Sequence, residues 1–226
     1  MADMNERGAA LLKAETRAFE LFDAIEAAGL VAPGKSEGEL DREIYALAAE
    51  RFGVTRHWHK RVVRVGANTV CIFADTPPER TIAADDIVYL DLGPVFADWE
   101  ADVGRSYVLG NDPQKKKLVA DLPRVFDIVQ AHYRATPDIT GAALYAFAQQ
   151  AAADAGWLFG GVIAGHIVGE FPHAQIPGDK ALNRIAPSNA TRMSEPDGKG
   201  REKHWILEIH LVDKHRNYGG FYERLL

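Results

Sequence analysis

Six residues have the types and settings to do chemistry together: Asp91, Asp102, His166, His173, Glu208 and Glu223. Asp91 ends the apolar run Ile-Val-Tyr-Leu-Asp, and Asp102 follows 11 residues later in Glu-Ala-Asp-Val-Gly-Arg-Ser. With a hairpin between them and a turn near Phe96-Ala97, the two carboxylates are expected directly opposite each other on one face. Such a pair is unfavourable unless it binds a proton or a cation. For the pair alone, an exposed hairpin with solvated acids remains the plainer reading. Glu208 interrupts the apolar run Trp-Ile-Leu-Glu-Ile-His-Leu-Val, where period two puts His210 on the same face. Glu223 lies in the closing run Gly-Gly-Phe-Tyr-Glu-Arg-Leu-Leu, and His166 and His173 lie in Gly-His-Ile-Val-Gly-Glu-Phe-Pro-His. A lone Glu or His in such a run is usually a satisfied structural group. Three acids in apolar strands, with Asp102 and a glycine-flanked histidine, instead describe buried carboxylates in need of compensation, which a divalent cation supplies.

The elements that must position these groups follow from pattern. Apolar residues at helical spacing predict a helix over 4–28, stopped at Gly29. Ser36 with Glu39 forms a capping-box pattern that opens a second helix to about Phe52, before Gly53. Runs rich in β-branched residues predict strands at 61–65, 69–73 and 87–92, with a returning hairpin strand at 100–109. Asp112-Pro113 opens a helix to about Tyr133. Thr140 opens an alanine-rich helix that Gly156 ends. Residues 174–203 are polar, carry Pro177, Pro187 and Pro196, and predict a long loop of the lid or binding kind. Strands at 205–212 and about 219–226 close the chain. Hairpins beside helices give an α+β fold. No repeat or linker divides residues 1–226, so a single domain is expected, with residues 1–55 as a helical segment packed on it.

Composition narrows the classes. The 226 residues carry 26 Lys+Arg and 32 Asp+Glu, a formal net charge of −6, with 47% hydrophobic and 26% charged residues. This is globular composition, and the acidic balance argues against a nucleic-acid partner. No apolar run is long enough to span a bilayer, and the N-terminal stretch lacks the pattern of a signal peptide. Asn189-Ala190-Thr191 matches a glycosylation acceptor and reads as chance without a secretion signal. Cys71 is the single cysteine. It reads as a packed thiol, and a cytoplasmic location is expected.

The order Asp, Asp eleven residues later, His in a Gly-His motif, Glu and Glu resembles the pita-bread metallopeptidases, which include methionine aminopeptidase, aminopeptidase P and prolidase. The resemblance covers about 62–226. It rests on those residues and on Gly66-Ala67-Asn68-Thr69, Asp86-Ile87-Val88-Tyr89-Leu90-Asp91-Leu92-Gly93, Asp102-Val103-Gly104-Arg105-Ser106 and Gly165-His166-Ile167-Val168-Gly169. It implies a curved, mostly antiparallel sheet covered by helices, and two divalent metal ions, Mn first, with Co, Fe or Zn as alternatives. By the same resemblance Asp91 chelates one metal, Asp102 and Glu223 bridge both, and His166 and Glu208 complete the second. Glu208 would shuttle protons and His173 would hydrogen-bond the substrate, so His166, His173 and Glu208 are the expected catalytic side chains. The implied activity is hydrolysis, by metal-activated water, of an amide bond near the N-terminus of a short peptide, nearer to the Xaa-Pro dipeptidase and aminopeptidase type than to methionine aminopeptidase. A small non-peptide amide substrate, or a non-catalytic binding role on the same fold, is the alternative.

Several positions depart from that family's pattern. Phe73 stands where a histidine is usual, Glu208-Ile209-His210 replaces Glu-Pro-Gly, and Phe221 replaces an arginine two residues before the last glutamate. Only about 60 residues precede the resemblance, too few for the N-terminal domain of the proline-specific branch. A short form that closes its site as a homodimer is therefore expected. The basic run His57, His59, Lys60, Arg61 and Arg64 reads as a solvated strand edge. Its functional alternative is a rim that attracts a substrate carboxylate, with Trp58 packing a side chain. Lys115-Lys116-Lys117 reads as a solvated helix face.

Overall fold

The computed structural model describes residues 6–226. Met4 and Asn5, at the start of the first expected helix, lie outside the described residues. Helix α1 (Glu6–Ala27) buries Leu11, Ala14, Ala18, Leu21, Phe22 and Ile25, which recur at three- and four-residue spacing. Helix α2 (Glu37–Phe52) begins with the full capping box, since Ser36 Oγ accepts from Glu39 N–H and the Glu39 carboxylate accepts from Ser36 N–H. The rest of the chain runs β1 (Val62–Val65), β2 (Ile87–Leu92), β3 (Val95–Phe96), β4 (Trp99–Glu100), β5 (Val103–Val108), α3 (Pro113–Ala135), α4 (Gly141–Asp154), β6 (Leu158–Phe159), β7 (Ile167–Val168), β8 (His204–Val212) and β9 (Gly219–Leu225). Asp112 and Thr140 cap α3 and α4 through side-chain oxygens, as their sequences predict.

The main sheet is ordered β1-β2-β5-β9-β8-β6, with β7 added beside β8, and its neighbours are antiparallel. Period two divides its residues between two faces. On one face Leu90, Leu92 and Val103 pack with Ala18, Leu21, Phe22 and Ile25 of α1 and Leu40 and Ile44 of α2. Farther across, Leu207, Ile209 and Leu211 pack with Leu122, Val125 and Phe126 of α3 and Leu144 and Ala148 of α4. The helices thus cover the face opposite Asp91, Glu208 and Glu223, and the α+β class is as expected. Among the described residues no helix is long and apolar enough to cross a membrane.

Two expectations are corrected. Residues 69–73 are not a strand. Gly66–Val70 forms a 3-10 turn, and an irregular segment follows. Side-chain bonds win over pairing there: Thr69 Oγ donates to the nearby Gly66 O, and Asn68 Nδ2 donates to the distant Glu37 carboxylate and to Pro78 O. The hairpin register is also shifted. Its turn falls at Ala97-Asp98, both at positive φ (47° and 69°), the conformation whose twist matches the flanking strands. Asp91 therefore opposes Gly104 instead of Asp102. The shift is by two residues, so Asp102 keeps the same face as Asp91.

Residues 174–203 contain no strand, only the second and third 3-10 turns, and Asn189 pins the segment from within. Its wholly buried amide donates to Arg184 O, so this side chain acts as a structural tie. Glu37 does similar work between α2 and β1. Its buried carboxylate accepts from Val65 N–H, Asn68 Nδ2 and Arg80 N–H. Glu37→Ala leaves those donors unpaired and is expected to cost about 3–4 kcal/mol in urea unfolding. Glu43→Ala, which removes only the surface pair with Lys35, should stay within about 0.5 kcal/mol.

Candidate metal centre

Strand register assembles the acids. Asp91 on β2 pairs with Gly104 on β5, Gly104 with Glu223 on β9, and Glu223 with Glu208 on β8. One row across four strands thus carries three carboxylates and a gap. Gly104 must be that gap, because a Cβ there would lie 2.5 Å from the Phe221 ring and 3.1 Å from Glu223 Cβ. Asp102 joins from just before β5. Asp91, Asp102 and Glu223 are buried, and Glu208 is partly exposed to a cavity of about 490 Å³. His166 is held beside β8, since Ile206 N–H donates to His166 O and Ile167 pairs with Trp205. Its Nε2 lies 3.2 Å from Asp102 Oδ2 and 3.9 Å from Glu208 Oε1. All five expected ligands are therefore brought together.

His173 borders the same cavity, its ring stacked 5.8 Å from that of His166 and edge-on to Trp58 at 4.9 Å. Glu100 orients it, accepting from His173 Nδ1 at 2.6 Å and from the His173 and Gly169 backbone N–H groups. Sequence reasoning missed Glu100. Its one signal was a second acid two positions before Asp102. His210 shares the Glu208 face, borders the cavity and donates from Nε2 to Thr69 O at 2.8 Å. Burial pushes His210 down to about 4, so it stays neutral. Phe221 fills the floor against Tyr89, and Phe73 stands half-exposed at the mouth. Cys71 borders the cavity too, its thiol pushed up by burial.

The basic run is not a solvated edge. Arg61 makes a paired bond with Asp41, Arg64 donates to Asp75 O, and His57 packs on Tyr45. Trp58 lines the cavity and donates to Ala101 O. His59 turns inward, its Nε2 3.1 Å from Asp102 Oδ1 and 3.5 Å from Asp91 Oδ1, its side chain only 8% exposed. Its signal was a histidine two residues after another at a strand entrance, and pattern could not say which of the two points inward.

The charges are far out of balance. Burial pushes Asp91 up to about 7 and Glu208 up to about 8. Burial, then Asp102, Asp91 and Glu208, hold Glu223 well above the usual carboxylate range. Burial also works to raise Asp102, but the His59 charge and a bond from His166 outweigh it and hold Asp102 near 2. Burial works to lower both imidazoles. Asp91 and Asp102 outweigh it at His59, and the bond to Asp102 outweighs it at His166, taking each to about 9. Glu223 Oε2 is buried without a hydrogen-bond partner among the described residues. Four carboxylates, one of them with an orphaned oxygen, and two imidazoles are a donor set that fits divalent cations.

Groups whose pKa folding raises bind protons more tightly in the folded state. Their stabilisation is complete at low pH and is lost as pH rises through the folded values. His59, His166 and Glu208 all titrate in this sense above pH 6.5, whereas His57 and His210, both pushed down to about 4 by burial first, act only below it. Chelator-treated protein is expected to lose stability steadily from pH 6.5 to 9. The loss is about 1.4 kcal/mol per pH unit for each proton that the folded state retains. Urea midpoints across that window test it, and a flat profile would contradict these charge states.

A sequence model of metallopeptidase family M24 matches residues 9–199. No curated protein sequence matches the chain. Among solved structures, it is similar to a prolidase from Thermococcus sibiricus (21% identity, TM-score 0.66, covering 95% of this chain and 55% of that one). It is also similar to an X-Pro aminopeptidase from Thermotoga maritima (17%, TM-score 0.71, 94% and 55%) and to a methionine aminopeptidase from Rickettsia prowazekii (14%, TM-score 0.65, 92% and 88%). The chain thus spans a little over half the length of the first two, and at these identities the likeness shows the fold. With the family match over most of its length and the expected fold in place, the chain belongs to metallopeptidase family M24.

Proposed function

We propose that this protein is a dinuclear-metal hydrolase that cuts an amide bond near the N-terminus of short peptides, of the Xaa-Pro dipeptidase or aminopeptidase type. The observation that carries the reading is the row Asp91, Glu223 and Glu208 with Asp102 beside it, a largely buried cluster of acids that needs protons or cations to relieve it. Asp91, Asp102, His166, Glu208 and Glu223 would hold two divalent ions, with Mn the first to try and Co, Fe or Zn next. Bound there, the ions supply a water of lowered pKa and polarise the scissile carbonyl.

The chain's own groups do the rest. Glu208, the most exposed acid of the row, faces the cavity and takes the proton of the attacking water, then returns it to the leaving amine. His173 has its Nδ1–H committed to Glu100, which leaves Nε2 for the substrate; carrying a second proton, the ring donates from Nε2 to the oxygen on which charge develops. Trp58, Ile72, Phe73, Ile163 and Ile176 give the cavity apolar walls for a substrate side chain or a proline ring and keep water out. Lys180 and Arg184, exposed at the cavity wall and without an ion-pair partner among the described residues, offer charge for the carboxylate of a short substrate. Phe73 takes the place of an expected histidine, which favours the second reading, a small non-peptide amide substrate or a binding role.

Mn-loaded protein is expected to remove one residue from a defined subset of Xaa-Pro dipeptides, longer Xaa-Pro peptides or Met-initiated peptides, read by mass spectrometry. No cleavage by metal-loaded protein would shift the assignment to the second reading. Asp102→Asn should abolish binding at one or both metal sites in calorimetric Mn titration and reduce turnover by about 10²–10³-fold, the range seen when a principal charge-stabilising group is lost. Full occupancy and activity in that variant would remove Asp102 from the bridging role.

A further inference from the structure

His59 enters the carboxylate cluster from the segment before β1, on the side of Asp102 where the expected ligand set has no nitrogen. Its ring is held as that of His166 is. Both Nδ1 atoms face a backbone carbonyl, that of Lys60 at 2.6 Å and that of Ile167 at 2.8 Å. A carbonyl oxygen only accepts, so Nδ1 carries the proton in both rings. Each Nε2 then faces Asp102, His59 at Oδ1 (3.1 Å) and His166 at Oδ2 (3.2 Å). His59 Nε2 also lies 3.5 Å from Asp91 Oδ1. The donor atoms of His59, Asp91 and Asp102 lie within 4.8 Å of one another, and so do those of Asp102, His166 and Glu223. A histidine tethered through one nitrogen to a carbonyl, with the other aimed among carboxylate oxygens, is arranged as metal-ligating histidines are.

The seat of the ring is built for it. Gly93 lies against the imidazole, where a Cβ would come 2.2 Å from His59 Cδ2 and 2.3 Å from Nε2. Trp58 and Phe73 close on it edge-on, with ring centroids at 4.3 and 5.7 Å.

The geometry points to His59 as a ligand of the ion that Asp91 and Asp102 hold, so that each ion of the centre takes one imidazole. This rests on the metal centre proposed above. Adding a nitrogen to oxygen donors raises that ion's preference for Zn(II) or Co(II) over Mn(II).

Zinc X-ray absorption on the full-length, zinc-loaded protein tests it by counting imidazoles per chain. Two are expected in the unaltered chain and one in His59→Gln. In calorimetric zinc titration His59→Gln should weaken one site by more than about 100-fold, the upper end for a group that only orients a ligand. One imidazole per chain in the unaltered protein, or two retained in His59→Gln, would overturn the inference and leave the metal centre standing. A chain that takes up no zinc, manganese or cobalt would overturn both. If His59→Gln does not fold, the count in the unaltered protein decides alone.

Discussion

The structure turns on one constraint: like charges must be held together away from water. Antiparallel register places Asp91, Glu223 and Glu208 in a single row across β2, β9 and β8, with Gly104 of β5 between the first two. A one-residue slip of any of these strands would turn its acid to the helix side, among Leu90, Leu92, Leu207 and Ile209. The apolar pattern of each strand therefore fixes the acids as firmly as it fixes the core. The two faces are specified by the same alternation.

Burying those acids is unfavourable in itself, and the fold offsets it from outside the row. Helices α1 to α4 cover the opposite face with two apolar clusters that pack the strands from that side. On the charged face, His59 and His166 approach Asp102 from opposite oxygens, and Glu100 holds His173 at the cavity edge. The side chains that reach the cavity come from the sheet, from the segment before β1, from residues 71–74, from 161–166 and from 173–184. The rigid part of the site is thus its acids. The parts that shape a substrate's surroundings are carried by irregular segments, where chain differences alter specificity without disturbing the sheet.

The departures from the family pattern acquire physical meaning in this setting. Phe221 and Tyr89 pack as an aromatic floor beneath Glu223, and Gly104 is the clearance that floor requires. Phe73 stands at the mouth with Lys60 Nζ over its ring at 4.6 Å and its edge against His59. An apolar ring thus occupies the mouth, and an imidazole from fourteen residues earlier in the chain reaches the acids instead.

Much of this was legible in the sequence, and the reason is locality. Helix ends at Ser36, Asp112 and Thr140 are written in residues that bond their own neighbours. The strands that carry Asp91, Glu208 and Glu223 announce themselves as apolar runs interrupted by one acid, so both the strand and the oddity appear in the same short window. What the sequence could not determine depended on groups far apart in the chain. The fate of 66–73 was settled by Glu37 accepting from Asn68, thirty-one residues away. The hairpin register was set by positive φ at two residues that are not glycine. The inward turn of His59 required Gly93 and Asp102, thirty-four and forty-three residues later. Local propensity and period two determined the elements and the face each acid occupies. Only tertiary packing decided which side chains meet across the cavity, because the energy of a buried charge depends on its neighbours in space and not on those in sequence.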